Sequence, residues 1–423
     1  MRVLMIGYVW PEPSSSAAGR HFMSLATLFA AKASRLCIAS AAERSEYSED
    51  IGKLGYESQQ LELNSASFDE FVSQYDPELV VFDRFMTEEQ FGWRVNQCCP
   101  NAIKVLDTED LQSLREERRR CVMAEEEFEA KLLLNSDKFK RELAAIHRSD
   151  LSLIISPHEH QLLVNTFNVP SSHLVLLPFL LETEELAVAP KAYTEREGAV
   201  AIGNFRHAPN WDSVRELYRL WPRIREQLPS ATISIFGAYL PPKAMQLNQP
   251  KQGFTIKGRA DDALDVISSA KVLLAPLRFG AGLKGKLLEA AIVGTPSVTT
   301  DIGAEGMLIE VDQWPGAVAS DDESFVAATI RLLRDEEYFC ERQRHTKLFL
   351  GQFAAQKWAS NLTDRLTQIS AVGVQIHRQG NLTGLLMNYH GAKSYQFMSQ
   401  WIQVKTEFAA FRNTVDERDN NTE

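Results

Sequence analysis

Two lysines and one acid carry the most chemistry in this chain. Lys284 and Lys286 stand among the glycines Gly280, Gly282 and Gly285, and Glu289 follows one turn into an apolar, helix-like run. Glycines let a backbone approach a ligand closely. The first N–H groups of a helix lack partners inside it and carry partial positive charge. A phosphate set against such a turn therefore meets amides, the helix dipole and two full positive charges together. A carboxylate at Glu289 accepts two hydrogen bonds, which suits a pair of ribose hydroxyls. A glycine-rich strand-to-helix loop by itself also fits a plain tight turn. The lysines and the well-placed acid favour an anionic, hydroxyl-bearing ligand.

Three further clusters follow apolar runs in the same way. Tyr8 to His21 is a loop of prolines, serines and glycine that includes Gly19, Arg20 and His21. Gly203 to Asn210 reads GNFRHAPN and presents Arg206, whose guanidinium can hold two oxygens at once. Asp107, Glu109 and Asp110 follow the run Ile103 to Leu106. For Asp107 a site role and a helix cap stay equally open. Asp261, in Gly258 to Leu264, reads as a helix N-cap, and Glu305 closes the stretch that began at Leu273. His158 and His160 lie two apart, point to different helix faces and make a poor chelate.

The elements that must position these residues form two series. Arg2 to Gly7, Leu36 to Ser40, Leu79 to Phe82, Ile103 to Leu106, Leu151 to Ser156 and Leu174 to Leu177 are short apolar runs separated by helical stretches. Ala199 to Gly203, Thr232 to Gly237, Phe254 to Lys257, Val272 to Pro276 and Ser297 to Thr300 repeat the alternation. This is the pattern of parallel α/β sheets. Leu181 to Glu197 has no clear period and reads as the linker. Two tandem doubly wound domains create a cleft, and ligands in such folds sit outside the carboxyl ends of the strands. A long charged helix is expected over Asp110 to His147, further helix over Asp321 to Leu350, and an amphipathic helix over Gln356 to Ile369. Beyond it, Trp401, Phe408 and Phe411 recur at helical spacing, and a helical hairpin with a frayed end DERDNNTE is expected.

With 423 residues, 44% of them hydrophobic, the chain is long enough for two cored domains. A net charge of −11 argues against non-specific nucleic-acid binding. The run Arg115 to Arg120 is a local basic patch suited to an anionic acceptor or lipid headgroups. Met1 to Trp10 reads as a first strand rather than a signal peptide, and no apolar stretch approaches a membrane span. Five cysteines without a CxxC pair lead to the expectation of a reducing cytoplasm, with contact at the inner membrane as an option. The apolar residues of the C-terminal segment suit a second copy or a membrane edge equally.

The stretch Leu273 to Gly306 resembles the signature of family 4 glycosyltransferases of the GT-B architecture. Glu289, Ala290, Gly294, Pro296 and Val298 carry the match. The resemblance implies two Rossmann-like domains, residues 1–183 for the acceptor and 198–352 for a nucleotide sugar. It further implies a crossover helix at 353–371 packing on the first domain, with 372–423 as an appended helical extension. By the same resemblance Glu289 is the second acid of the E-x7-E pair and holds the donor's ribose. The first acid should stand at Ala281 and is missing, which reads as a variant donor pocket built on a G-A-G-x-K-G-K loop.

The donor set implied is Gly19, Arg206, Gly280, Gly282, Leu283, Lys284, Gly285, Glu289 and Glu305. Arg206 and Lys284 stabilise the leaving diphosphate, and Asp107 is directed at the reacting sugar. The expected activity is transfer from a nucleoside diphosphate sugar to a glycan or lipid-linked acceptor, with retention, in surface polysaccharide or glycoconjugate synthesis. No cofactor beyond the donor is expected, and the absence of a D-x-D motif leads to the expectation of no metal. A nucleotide-sugar epimerase and a non-catalytic nucleotide-sugar-binding subunit are the alternatives.

Overall fold

The computed structural model describes residues 1–420. The last three residues of the expected frayed end, 421–423, lie outside the described residues. The first domain holds β1 (Arg2–Gly7), β2 (Arg35–Ser40), β3 (Glu57–Gln60), β4 (Leu79–Asp83), β5 (Ile103–Asp107), β6 (Leu151–Ile154) and β7 (Leu174–Leu176). The second holds β8 (Ala199–Ile202), β9 (Ile233–Phe236), β10 (Phe254–Gly258), β11 (Val272–Ala275), β12 (Ser297–Thr300) and β13 (Gly316–Ala319). The sheet orders are β3-β2-β1-β4-β5-β6-β7 and β10-β9-β8-β11-β12-β13.

All the pairings between these strands are parallel; Val3, for example, lies between Leu36 and Leu79. Helices cover both faces of each sheet, so the central strands read as unbroken apolar runs rather than alternating ones. Every residue of β4 and β11 is buried. In each sheet the strand order reverses at one place, between β1 and β4 and between β8 and β11. Loops diverge there and leave a crevice at the carboxyl ends. The loops after β1, β4, β8 and β11 are the ones that carry most of the candidate residues.

The chain crosses between the domains twice at one spot. The Leu181 amide donates to the Phe353 carbonyl and the Ala355 amide to the Leu181 carbonyl, both at 2.9 Å. The helix Ala355–Val372 then returns to the first domain, where Ala355, Leu362 and Ile369 join Val3, Met5, Leu25 and Phe29 in one core cluster.

Several expected elements differ. The long helix over Asp110 to His147 is three pieces: Gln112–Ala124, a 3-10 turn Ala130–Asn135, and Asp137–Arg148. Glu125 adopts a left-handed conformation with φ of 56° and ends the first piece, and the Ser136 side chain caps the third by accepting from the Phe139 amide. The helix cap near β10 is Asp262 rather than Asp261, accepting from the amides of Leu264 and Asp265. The C-terminal extension is not a hairpin but a short helix, Val374–Gln379, followed by one 39-residue helix, Leu382–Asn420. This terminal helix lies on the helices Arg84–Cys98 and Asp137–Arg148. No helix among the described residues is long and apolar enough to cross a membrane.

Candidate active site

Between the domains lies a cavity of about 890 Å³, lined by the loops after β1, β4, β8, β9 and β11. On the second-domain side, Lys284 stands at the residue just before the helix Gly285–Ile292. That helix buries Leu287, Leu288, Ala291 and Ile292 and leaves Lys286 and Glu289 on the cavity wall. The Lys286 ammonium donates to the Asn210 side-chain carbonyl at 2.7 Å, and Lys284 reaches back to the Gly282 carbonyl at 2.8 Å. Both partners are neutral, so both charges stay uncompensated at hydrogen-bond range. Burial pushes Lys286 down to about 8, with Glu289 opposing the shift, and lowers Lys284 against the pull of Glu305 and Glu159. An anion entering the cavity restores what burial took from them.

Glu289 is pushed up by burial, while Arg20 and Lys286 hold it down. Arg20 comes from the first domain and lies 3.3 Å from its carboxylate. Arg206 is exposed, and its guanidinium stacks 3.6 Å from the Tyr239 ring centroid. Tyr239 in turn donates to Glu12 of the first domain at 3.2 Å. The stack uses the face of the guanidinium and leaves its in-plane N–H groups free to meet an anion in the cavity, which Arg206 lines.

The first-domain wall is built differently. Asp83 ends β4, Asp107 ends β5, and His21 reaches them from the helix Ala17–Ala30. His21 Nε2 lies 3.7 Å from the Asp107 carboxylate. Burial works against the imidazolium, yet Asp107, Glu109 and Asp83 outweigh it and raise His21 to about 9. Burial also raises Glu109 and Asp83. His21, Asp107 and Glu109 place ligand atoms within 4.8 Å of one another, the one such group among the described residues. A proton on His21 supplies positive charge to these acids, and Arg84, 3.4 Å from Asp83, supplies more.

Arg84 and Glu109 hold left-handed backbone, with φ of 69° and 56°, and Tyr239 does so at 57°. All three line the cavity. For residues with side chains such conformations cost about 1–3 kcal/mol, and they cluster where function over-determines them.

The structure corrects several expectations. Asp107 is 1% exposed and sits beneath the cavity wall, and the acids that face the cavity from this side are Glu12, Asp83, Glu109 and Asp110. Glu305 points away from the cavity into a two-pronged pair with Arg118, at 2.7 and 2.8 Å. The Gly282 amide is not free for a phosphate; it donates to the buried Glu159 carboxylate of the first domain at 2.6 Å. Gly282 has φ of 60°, and a β-carbon there would meet that of Asp110 at 2.8 Å, so only glycine lets the domains close here. The Gly19 amide is likewise taken, donating to the Ser16 cap at 3.0 Å, and the Glu12 backbone folds against the α-carbon. The Gly280 carbonyl accepts from Arg118 at 2.9 Å. Leu283 is buried at the cavity edge, and Gly285 opens its helix facing Ala17.

Arg84, Glu159 and Tyr239 carry parts of this geometry that the sequence pattern did not single out. For Arg84 a signal existed, since it directly follows the apolar run Leu79 to Phe82 and Asp83, at a strand's carboxyl end. The basic run is partly spent inside the molecule, where Arg118 binds Glu305 and Arg115 pairs with Asp110, while Arg120 pairs at the surface with Glu117 and Glu126 and Arg119 is exposed.

A family model described as Glycosyl transferases group 1 matches residues 196–335, which hold the whole second sheet. No curated protein matches the chain in sequence. Solved structures similar in shape include sucrose-phosphate synthase from Thermosynechococcus elongatus, with a TM-score of 0.65 and 16% identity over 88% of this chain and 100% of that one. HepE of Anabaena, in complex with UDP and glucose, reaches 0.68 at 11% identity over 87% and 100%. WaaG, a glycosyltransferase involved in lipopolysaccharide biosynthesis, reaches 0.58 at 14% identity over 86% and 98%. At these identities the likeness speaks to the fold, which is GT-B. The chain is a glycosyltransferase of that two-domain fold, and its residues 196–335 form a group 1 glycosyltransferase domain.

Proposed function

We propose that the chain transfers a sugar from a nucleoside diphosphate sugar to a hydroxyl of a glycan or lipid-linked acceptor, with retention and without a metal, in surface polysaccharide or glycoconjugate synthesis. One observation carries the reading: two ammonium groups, the buried Lys284 and the half-buried Lys286, hydrogen-bond only to neutral oxygens beside a partly buried carboxylate, Glu289, at the switch point of the second sheet. The diphosphate takes the ammonium groups, and the ribose hydroxyls take Glu289. HepE, similar in shape, has structures in complex with UDP and with UDP-glucose, which supports the choice of donor class.

In the transfer, the bond from the sugar's anomeric carbon to the diphosphate oxygen breaks, and the acceptor oxygen forms its bond on the same face. The departing oxygen takes the acceptor's proton, so no protein base is required. The lysines and Arg206 stabilise the growing charge on the diphosphate. On the first-domain wall Arg84, Arg115 and His21 each lie beside an acid, and carboxylate oxygens of Asp83 and Glu109 are left to accept, which suits a neutral sugar hydroxyl at the reacting end of the acceptor.

The test is turnover of a panel of uridine and guanosine diphosphate sugars, read as release of free nucleoside diphosphate with and without added glycans and lipid-linked sugars. Release from one donor, strengthened by an acceptor and unaffected by a chelator, is the expected result. Return of an isomerised but intact nucleotide sugar makes the chain an epimerase, and absence of turnover across the panel sinks the proposal.

A further inference from the structure

The terminal helix Leu382–Asn420 outruns the body that supports it. Its inner face is well held: Asn388 meets Asn96 at 3.0 Å, the Tyr395 hydroxyl donates to Glu89 at 2.7 Å, and Ser399 accepts from Arg94 at 3.3 Å. Ser399 is the last buried residue of the helix among the described side chains. Residues 400–420 continue past it, a length of roughly 30 Å at the helical rise. An unsupported helix of that size is marginal in water.

Phe397, Trp401, Val404, Phe408 and Phe411 follow one another at intervals of four, three, four and three, and each is between 63% and 65% exposed. A sustained 3.5-residue apolar period is the seam of a coiled coil rather than the broader stripe of a helix lying on a globular core. In that frame Trp401 and Phe408 take position a, and Phe397, Val404 and Phe411 take position d. Asn388, Tyr395 and Ser399, which face the body, fall at b, b and f. The body therefore stands on the far side of the helix and leaves the seam open to a partner.

We propose that the occupant is a second copy of this chain, paired through a parallel, in-register coiled coil over Phe397 to Phe411. The flanking charges select that arrangement. Position g holds Gln400 and Glu407, and position e holds Lys405 and Arg412. In a parallel pair, g of one helix faces e of the next heptad in the other, which sets Glu407 against Arg412 and Gln400 against Lys405. In an antiparallel pair e faces e and g faces g, so cations meet cations. A phospholipid surface calls for clusters of four to eight basic residues. The stretch from Phe397 to Arg412 holds two, offset by Glu407.

Sedimentation velocity on the full chain tests the pairing independently of the transfer reaction. The wild type is expected to sediment as a dimer. Replacing both Trp401→Glu and Phe408→Glu is expected to raise the dissociation constant by at least roughly 100-fold, with the melting temperature of the body unchanged because these side chains touch little of it. For orientation, Phe408→Cys treated with a mild oxidant is expected to give a disulfide-linked dimer that the parent chain, with its five free cysteines, does not form. A monomeric wild type, a dimer that survives the double variant, or a monomer that floats with anionic phospholipid vesicles overturns the proposal. Absence of the Phe408→Cys cross-link in a dimer that the double variant disrupts overturns the parallel register.

Discussion

The two walls of the cleft carry similar charged residues and use them in opposite ways. On the second-domain wall, Lys284 and Lys286 donate to a backbone carbonyl and an amide oxygen, both neutral. On the first-domain wall each cation meets an acid: Arg84 meets Asp83, Arg115 meets Asp110, and His21 beneath them meets Asp107. Arg20 reaches across the cavity, to Glu289. Buried charge is tolerated only when it is paired or awaiting a partner. On the proposed reading, the contrast suits the second-domain wall to an anion and the first-domain wall to a neutral hydroxyl. Closure in turn depends on charged first-domain side chains, since Glu159 holds the glycine loop and Arg118 holds Glu305.

The comparison breaks most visibly at His21. His21→Ala leaves Asp83, Asp107 and Glu109 buried without the imidazolium. It should destabilise the chain by about 3–5 kcal/mol in urea unfolding, as breaking a buried pair does. His21 is raised from 6.5 to about 9, so its contribution is fully present below pH 6.5 and is lost as pH rises through 9. The gap between wild type and variant should close over that window; a gap constant from pH 6 to 10 contradicts the assignment.

On the opposite wall, Lys286→Ala should lower kcat/KM for the donor by about 10²–10³ while leaving the acceptor's KM unchanged, the size expected for removing a donor aimed at developing charge. Glu289→Ala should weaken donor binding by roughly 10–100-fold, in line with about 1.5–3 kcal/mol for hydrogen bonds to a charged group. Titration calorimetry with the nucleoside diphosphate reads it, and full retention of affinity rejects the ribose role.

The smallest effect is the pH dependence of donor affinity. Lys286, at about 8, is charged below that pH and loses its proton above it. Affinity should therefore fall about tenfold between pH 7 and pH 9, and the fall should be shallower in Lys286→Ala.

The donor wall was far more legible in the sequence than the acceptor wall. The stretch from Lys284 to Glu289 is one loop and one helix, so its geometry follows from local pattern, and it lands on the cavity. The acceptor wall assembles Asp83, Arg84, Glu109 and His21 from separate elements, and only the sheet order brings them together. Asp107 was the natural choice by position yet lies one layer too deep, because the end of β5 turns it under the wall that Glu109 then occupies. The amides of Gly19 and Gly282 looked free because their partners, the Ser16 hydroxyl and the distant Glu159, are invisible to local pattern.

For the fold, the unread strands were β3, with the sequence ESQQ, and β13, with GAVA. Both are edge strands of their sheets, one mostly exposed and the other made of small residues, so neither shows an apolar run. The terminal helix was expected to turn back on itself. Its inner face instead stays straight because Asn388, Tyr395 and Ser399 all find partners on one side of the body.

Titration of wild type and Lys286→Ala with a nucleoside diphosphate, and with the matching nucleoside, tests the asymmetry between the walls most directly. The account predicts tight binding of the diphosphate to the wild type, little binding of the nucleoside, and a loss of diphosphate affinity in the variant of roughly 10-fold or more. Equal affinities of the wild type for diphosphate and nucleoside, or a variant that binds the diphosphate as well as the wild type, would contradict it.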